Sequence, residues 1–193
     1  LAGGLDLETG DATQHAIDLA YLNDLIVLDR RFNPATPDEP APTAAAQRVI
    51  TESHRPLLVV EESGEAALMA RVLLVHDTRR AFDEGLFLAA YLAEQWRVSL
   101  AVLPIGNARN TDAVVQRAGD YLAMHEVEPQ YLPPVRPARS LADTIIATAG
   151  EVEADLIILP APGRGRNGAN QPNLNDTIFA VLRRWPRAAL IAS

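Results

Sequence analysis

The chain of 193 residues carries 25 acidic and 17 basic side chains, a net charge of -8, and that excess repels phosphate backbones and anionic membrane surfaces. It contains no cysteine, which excludes disulfides, thiolate nucleophiles and thiolate metal sites, and all 17 basic residues are arginine. Without a lysine, a Walker-type phosphate loop, a Schiff-base enzyme and a receiver domain with its essential lysine are excluded as well.

A hydrophobic content of 48% with 22% charged residues is that of a globular protein with a sizeable core. No apolar run approaches the roughly 20 residues that span a bilayer, and Leu1 to Gly10 has neither the basic start nor the apolar stretch of a signal peptide. The chain is therefore read as cytoplasmic, with no nucleic-acid partner and no membrane contact by this segment. Its start at leucine leads us to expect a processed protein or a part of a longer one.

Leu5 to Asp11 reads as a strand and a glycine turn into a helix over Thr13 to Leu22, and Asn23 to Leu28 as the next strand. Pro34 to Pro42, with four prolines, is a loop. A helix then leads through Arg55-Pro56 into the apolar strand Leu57 to Val60, and Glu61 to Glu65 is an acidic connector. From Arg71 strands and helices alternate. Val72 to Val75 is a continuous apolar run suited to a strand buried on both faces. Phe82, Leu86, Ala89, Ala90, Ala93 and Trp96 form one helical stripe, followed by a strand at Val98 to Leu103.

Asn110 or Thr111 is the expected cap of a helix carrying Val114, Val115, Ala118, Tyr121 and Leu122. Pro129 to Val135 is a proline-interrupted strand, hence near an edge. Ser140 with Asp143 is a capping box opening a helix with Leu141, Ile145, Ile146 and Ala149 inward. Leu156 to Leu159, Asp176 to Arg184 and Ala188 to Ala192 complete the pattern as strand, helix and strand. Such alternation implies right-handed crossovers and a parallel sheet.

The beginning of the chain repeats its end at an offset of about 131 residues. Asn23-Asp24-Leu25-Ile26-Val27-Leu28 matches Ala154-Asp155-Leu156-Ile157-Ile158-Leu159, and Arg55-Pro56-Leu57-Leu58-Val59-Val60 matches Arg187-Ala188-Ala189-Leu190-Ile191-Ala192. The expected organisation is the closing portion of a first domain at residues 1–62, lacking its first two strands, a linker at 63–68, and a complete five-strand domain at 69–193.

These segments, with Val72 to Asp77 as a first strand ending in aspartate, resemble the universal stress protein family over nearly the whole chain. The resemblance implies a doubly wound α/β fold of strand order 3-2-1-4-5, like that of the adenine nucleotide alpha hydrolases, with a partial second copy in front. It also implies a place for ATP at the switch point between strands one and four, where open α/β sheets bind ligands. ATP-binding members carry G-x2-G-x9-G-S/T after strand four, because glycines let backbone N–H groups approach phosphates and the final pair opens a helix.

That motif is broken here. Pro160 takes the first glycine position and Gly163 the second, the closing pair becomes Asn175-Asp176, and the loop is two residues too long. In the first unit the equivalent positions are Asp29, Phe32, Thr43 and Ala44, with no glycine.

The candidate nucleotide-site residues are thus Asp77, Leu103, Gly163, Gly165, Asn175 and Asp176. Asp77 and Leu103 match, by the resemblance, the family's adenosine-side aspartate and a residue whose backbone meets adenine. Asp77 reads equally as a helix N-cap, and His76 as a strand-end histidine. Gly163-Arg164-Gly165-Arg166-Asn167-Gly168 reads as a surface loop or as an arginine wrap for an anion. His15, His54, His76 and His125 have no metal-ligand spacing, so no metal is expected.

The expected function is a non-enzymatic stress-response binding or regulatory module with a degenerate nucleotide site, binding ATP weakly or not at all. The alternatives are the cytosolic regulatory domain of a membrane transporter and an ATP-binding or ATP-hydrolysing member of the superfamily. Apolar edges at Leu57 to Val60 and Ala188 to Ala192 are expected to pair antiparallel, within the chain or between chains, and to support a homodimer.

Overall fold

The computed structural model describes residues 9–61, 69–77, 84–106, 108–136, 141–161 and 174–192. The expected strand at Leu5 to Leu7 lies outside them. Helix α1 (Ala12–Ala20) starts where Asp11 accepts the N–H groups of Thr13 and Gln14 at 2.9 and 3.2 Å, and it buries Thr13, Ile17 and Ala20 at helical spacing. Asn23 closes it by donating its side-chain amide to the Leu19 carbonyl. Strand β1 (Ile26–Asp29) leads to helix α2 (Ala44–Glu52), which is capped by the Thr43 hydroxyl on the Ala46 N–H, and then to strand β2 (Leu57–Val60).

The second part runs β3 (Arg71–Asp77), α3 (Glu84–Trp96), β4 (Ser99–Ile105), α4 (Ala108–Met124), β5 (Gln130–Tyr131), α5 (Leu141–Glu151), β6 (Leu156–Pro160), α6 (Leu174–Arg184) and β7 (Ala188–Ala192). Helix α4 begins ahead of Asn110 and Thr111, so neither is its cap: both lie inside a first turn that extends back through Ala108 and Arg109, residues of high helix propensity. Trp96, expected on the inward stripe of α3, is instead 57% exposed in the last turn, just before Arg97 turns the chain with φ 54°. Strand β5 shrinks to two residues because Pro129, Pro133 and Pro134 withhold ladder donors, and it sits at the sheet edge as expected.

All seven strands form one sheet in the order β1-β2-β7-β6-β3-β4-β5. The last five reproduce the doubly wound order, every neighbouring pair among them parallel. The side chains of α1, α2, α5 and α6 pack on one face, around Leu28, Leu57, Val59, Ile157 and Ile191; those of α3 and α4 pack on the other, around Val72, Leu74, Ile158 and Leu190.

The antiparallel pairing of the terminal strands occurs within the chain, with Leu57↔Ile191, Leu58↔Leu190 and Val59↔Ala189 in register. Contrary to expectation neither strand is an edge of the finished sheet, because each covers the other.

The registers carry the sequence repeat into space. Ile26 opposes Leu57 as Ile157 opposes Ala189, and Asp29 opposes Val60 as Pro160 opposes Ala192. Under the same equivalence Leu58 matches Leu190, and these two face each other across the seam. A local twofold therefore passes between them, relating β1 and β2 to β6 and β7.

Arg30 locks the seam. Its guanidinium, with the residue only 5% exposed, donates to the carbonyls of Trp185 at 2.8 Å, Arg187 at 3.0 Å and Leu182 at 3.4 Å. It thereby places a cation at the carbonyl end of α6, where the helix dipole favours one, and Glu61 approaches it at 3.8 Å. Arg30→Ala strands those buried carbonyls, and we expect a loss of about 2–4 kcal/mol, read as a lower urea midpoint at unchanged slope. A midpoint within error of the parent protein's would show that the seam does not need the clamp.

Candidate functional site

The chain leaves β3 toward β4 through α3 on one face and leaves β6 toward β7 through α6 on the other, so the crevice between the carboxyl ends of β3 and β6 is the topological switch point of the sheet. The two strands pair through Val72↔Leu156, Leu73↔Ile157 and Leu74↔Ile158, and β3 runs on to His76 and Asp77.

Both of these last residues are buried, His76 completely, and on the other side they lie in register with Pro104 and Ile105 of β4. Asp77 is thus the last residue of β3, beside this crevice. Leu103 lies opposite Val75 within the ladder between β3 and β4, and its side chain belongs to the core that packs against α5 and α6. Pro160 closes β6, buried and in register with Ala192, and brings no N–H to this point. Asn175, half-buried, and Asp176, exposed, form the first turn of α6. Gly163 and Gly165, with the two arginines of that loop, lie outside the described residues.

The equivalent loop of the first part is described throughout. Thr43 anchors its end, donating its hydroxyl to the Phe32 carbonyl while its N–H donates to the Arg30 carbonyl at 3.0 Å. Asp29 accepts the Arg31 N–H at 2.6 Å, and Arg31 reaches over the loop to the Pro37 carbonyl. At the start of α2 the Glu39 carboxylate accepts the N–H of Ala44 at 2.6 Å with one oxygen and that of Ala35 at 2.6 Å with the other. A helix start offers N–H groups to an anion, and here a side chain of the loop itself supplies one. The sequence reading passed over Glu39; the legible signal was an acidic pair, Asp38 and Glu39, in a proline-bounded loop just ahead of a helix cap.

The N–H groups of Ala44 and then Ala35 hold the Glu39 carboxyl below its usual range, with the nearby Arg31 charge acting in the same direction. A depressed folded-state pKa contributes stability that is complete above the unfolded value and lost as pH falls through the folded one. Glu39→Gln should therefore lower the melting temperature by no more than about 3 °C above roughly pH 5.5, and the difference should shrink toward zero on acidification. A difference that persists unchanged to pH 3 would show that the carboxylate charge plays no part.

No protein-family model and no curated protein matches this sequence. Among solved structures, the chain is similar to a universal stress protein from Archaeoglobus fulgidus DSM 4304, with a TM-score of 0.71 at 16% identity over 95% of this chain and 66% of that one. It is also similar to a functionally unknown protein from Pseudomonas aeruginosa PAO1, with a TM-score of 0.63 at 14% identity over 96% of this chain and 68% of that one. The chain thus spans about two thirds of the length of these structures. Its fold is that of the universal stress proteins, the family its sequence pattern resembles.

Proposed function

We propose that this chain is a cytoplasmic, non-enzymatic module of the universal stress type, a binding or regulatory protein whose nucleotide sites no longer cradle phosphates. The observation that carries the reading is the Glu39 carboxylate on the Ala44 N–H: the anion position of the first unit is filled from within. At the switch point of the second unit, Pro160 lacks the donor that a glycine would bring, and Asp176 adds a negative charge to the first turn of α6. At an effective dielectric of about 20, a unit charge roughly 4 Å from a phosphate costs about 4 kcal/mol before screening. That offsets half of a micromolar binding energy of about 8 kcal/mol.

The proposal includes the division of the chain into the closing portion of a first stress-type domain at residues 1–62 and a complete one at 69–193. Its support is the shared register of β1 with β2 and of β6 with β7, at the offset found in the sequence.

Calorimetric titration of the full chain with Mg-ATP tests the reading. We expect a Kd weaker than about 10 μM, or no heat at all. A Kd at or below about 10 μM that Asp77→Ala abolishes would mean that the switch point still binds nucleotide. Release of phosphate by the pure protein would favour an ATP-hydrolysing member of the superfamily instead.

A further inference from the structure

The local twofold pairs each residue of β1 with one of β6, yet the two strands have unlike surroundings. Leu156 and Ile158 are 1% and 0% exposed; their counterparts Leu25 and Val27 are 47% and 63% exposed. The difference has a definite source. Leu156 and Ile158 are covered by β3, which pairs with β6 in parallel, and by Leu86, Ala89 and Ala90 of α3, which lie over the same face.

Asp155 fixes the start of that β3 strand. Its carboxylate accepts the N–H groups of Ala70 at 3.1 Å and Arg71 at 3.0 Å, and its own N–H donates to the Arg71 carbonyl at 2.8 Å. Asp24 occupies the same position ahead of β1, is exposed, and receives no donor among the described residues. On β1 itself, Ile26 and Arg30 direct their N–H groups to the carbonyls of Pro56 and Val60. Alternation along the strand then turns the Val27 N–H outward, to the side of β1 where no strand pairs among the described residues.

We propose that the outer edge of β1, from Asp24 to Val27, is a docking site for a strand–helix polypeptide segment from outside residues 1–193. Its strand runs parallel to β1 with its first N–H groups on the Asp24 carboxylate, and its helix lies over Val27 and Leu58 with a face of small apolar residues. The chemistry of the occupant is set by the chain's own example: an apolar strand like Val72 to Val75, then a helix presenting alanines as α3 presents Ala89 and Ala90. A second copy of the chain does not meet this description. Its corresponding strand and helix are already built into the centre of its own sheet, and with a net charge of -8 on each copy the two repel.

The probe is a synthetic peptide of residues Met69 to Trp96 with a solubilising tail of lysines, titrated into the full chain. We expect one peptide per chain, weakening of at least about tenfold by Val27→Arg and a smaller weakening by Asp24→Ala, and slowed amide exchange at Leu25 and Val27 in the complex. Because Val27 is exposed, its replacement leaves the core intact. The proposal fails if no binding is seen at about 100 μM peptide, or if Val27→Arg leaves binding unchanged. It fails equally if sedimentation of the chain alone shows a dimer that Val27→Arg dissolves, because the occupant is then a second copy.

Discussion

Two short parallel ladders meet in this protein along three antiparallel residue pairs between β2 and β7, and the rest of the molecule depends on that contact. Each of these strands alone would present a row of backbone donors and acceptors beside apolar side chains, an arrangement prone to pairing with other chains. Facing each other, they satisfy those groups within one molecule. The core that packs on α1 and α2 then becomes continuous with the one that packs on α5 and α6, through Leu57, Val59, Ala189 and Ile191. The guanidinium of Arg30 spans the same seam and ties the end of β1 to the end of α6. A residue of the smaller unit thus satisfies backbone carbonyls of the larger one, which makes the two units interdependent.

The twofold also relates the end of β1 and the start of α2 to the end of β6 and the start of α6. In the first, the helix start that would receive an anion is occupied by Glu39, and Thr43, Asp29 and Arg31 fold the remaining backbone onto itself. In the second, β6 ends at Pro160, which has no N–H, and Asp176 lies in the first turn of α6. Each helix start thus carries a negative charge, from the loop residue Glu39 at α2 and from Asp176 in the first turn of α6.

The same equivalence exposes an asymmetry in stability. Asp155 is held by the first N–H groups of β3 and by Arg187 at 3.2 Å, so the entry to β6 is fixed from two sides. Among the described residues, Arg55, the counterpart of Arg187, reaches the Tyr21 carbonyl at 3.4 Å, and Asp24 is exposed. Identical residue types are structural in one unit and surface groups in the other, according to whether a strand lies beside them.

Sequence by itself determined the alternation of elements, because a strand buried on both faces must be apolar throughout and a helix on a sheet must carry one stripe; Val72 to Val75 and Leu156 to Leu159 show the first, and Leu86, Ala89 and Ala90 the second. It carried the match of Asp24 to Leu28 with Asp155 to Leu159, whose strands share the same register with their neighbours. It also read the strand after Arg71 as ending in Asp77, where β3 ends. Tertiary structure decided that β2 and β7 are interior strands, that Trp96 lies in solvent, and that Glu39 fills the helix start beside it. The reason is physical. Periodicity states which side chains need cover, whereas the cover comes from segments some 130 residues away, or from a loop whose path is set by backbone donors that the side-chain pattern does not encode.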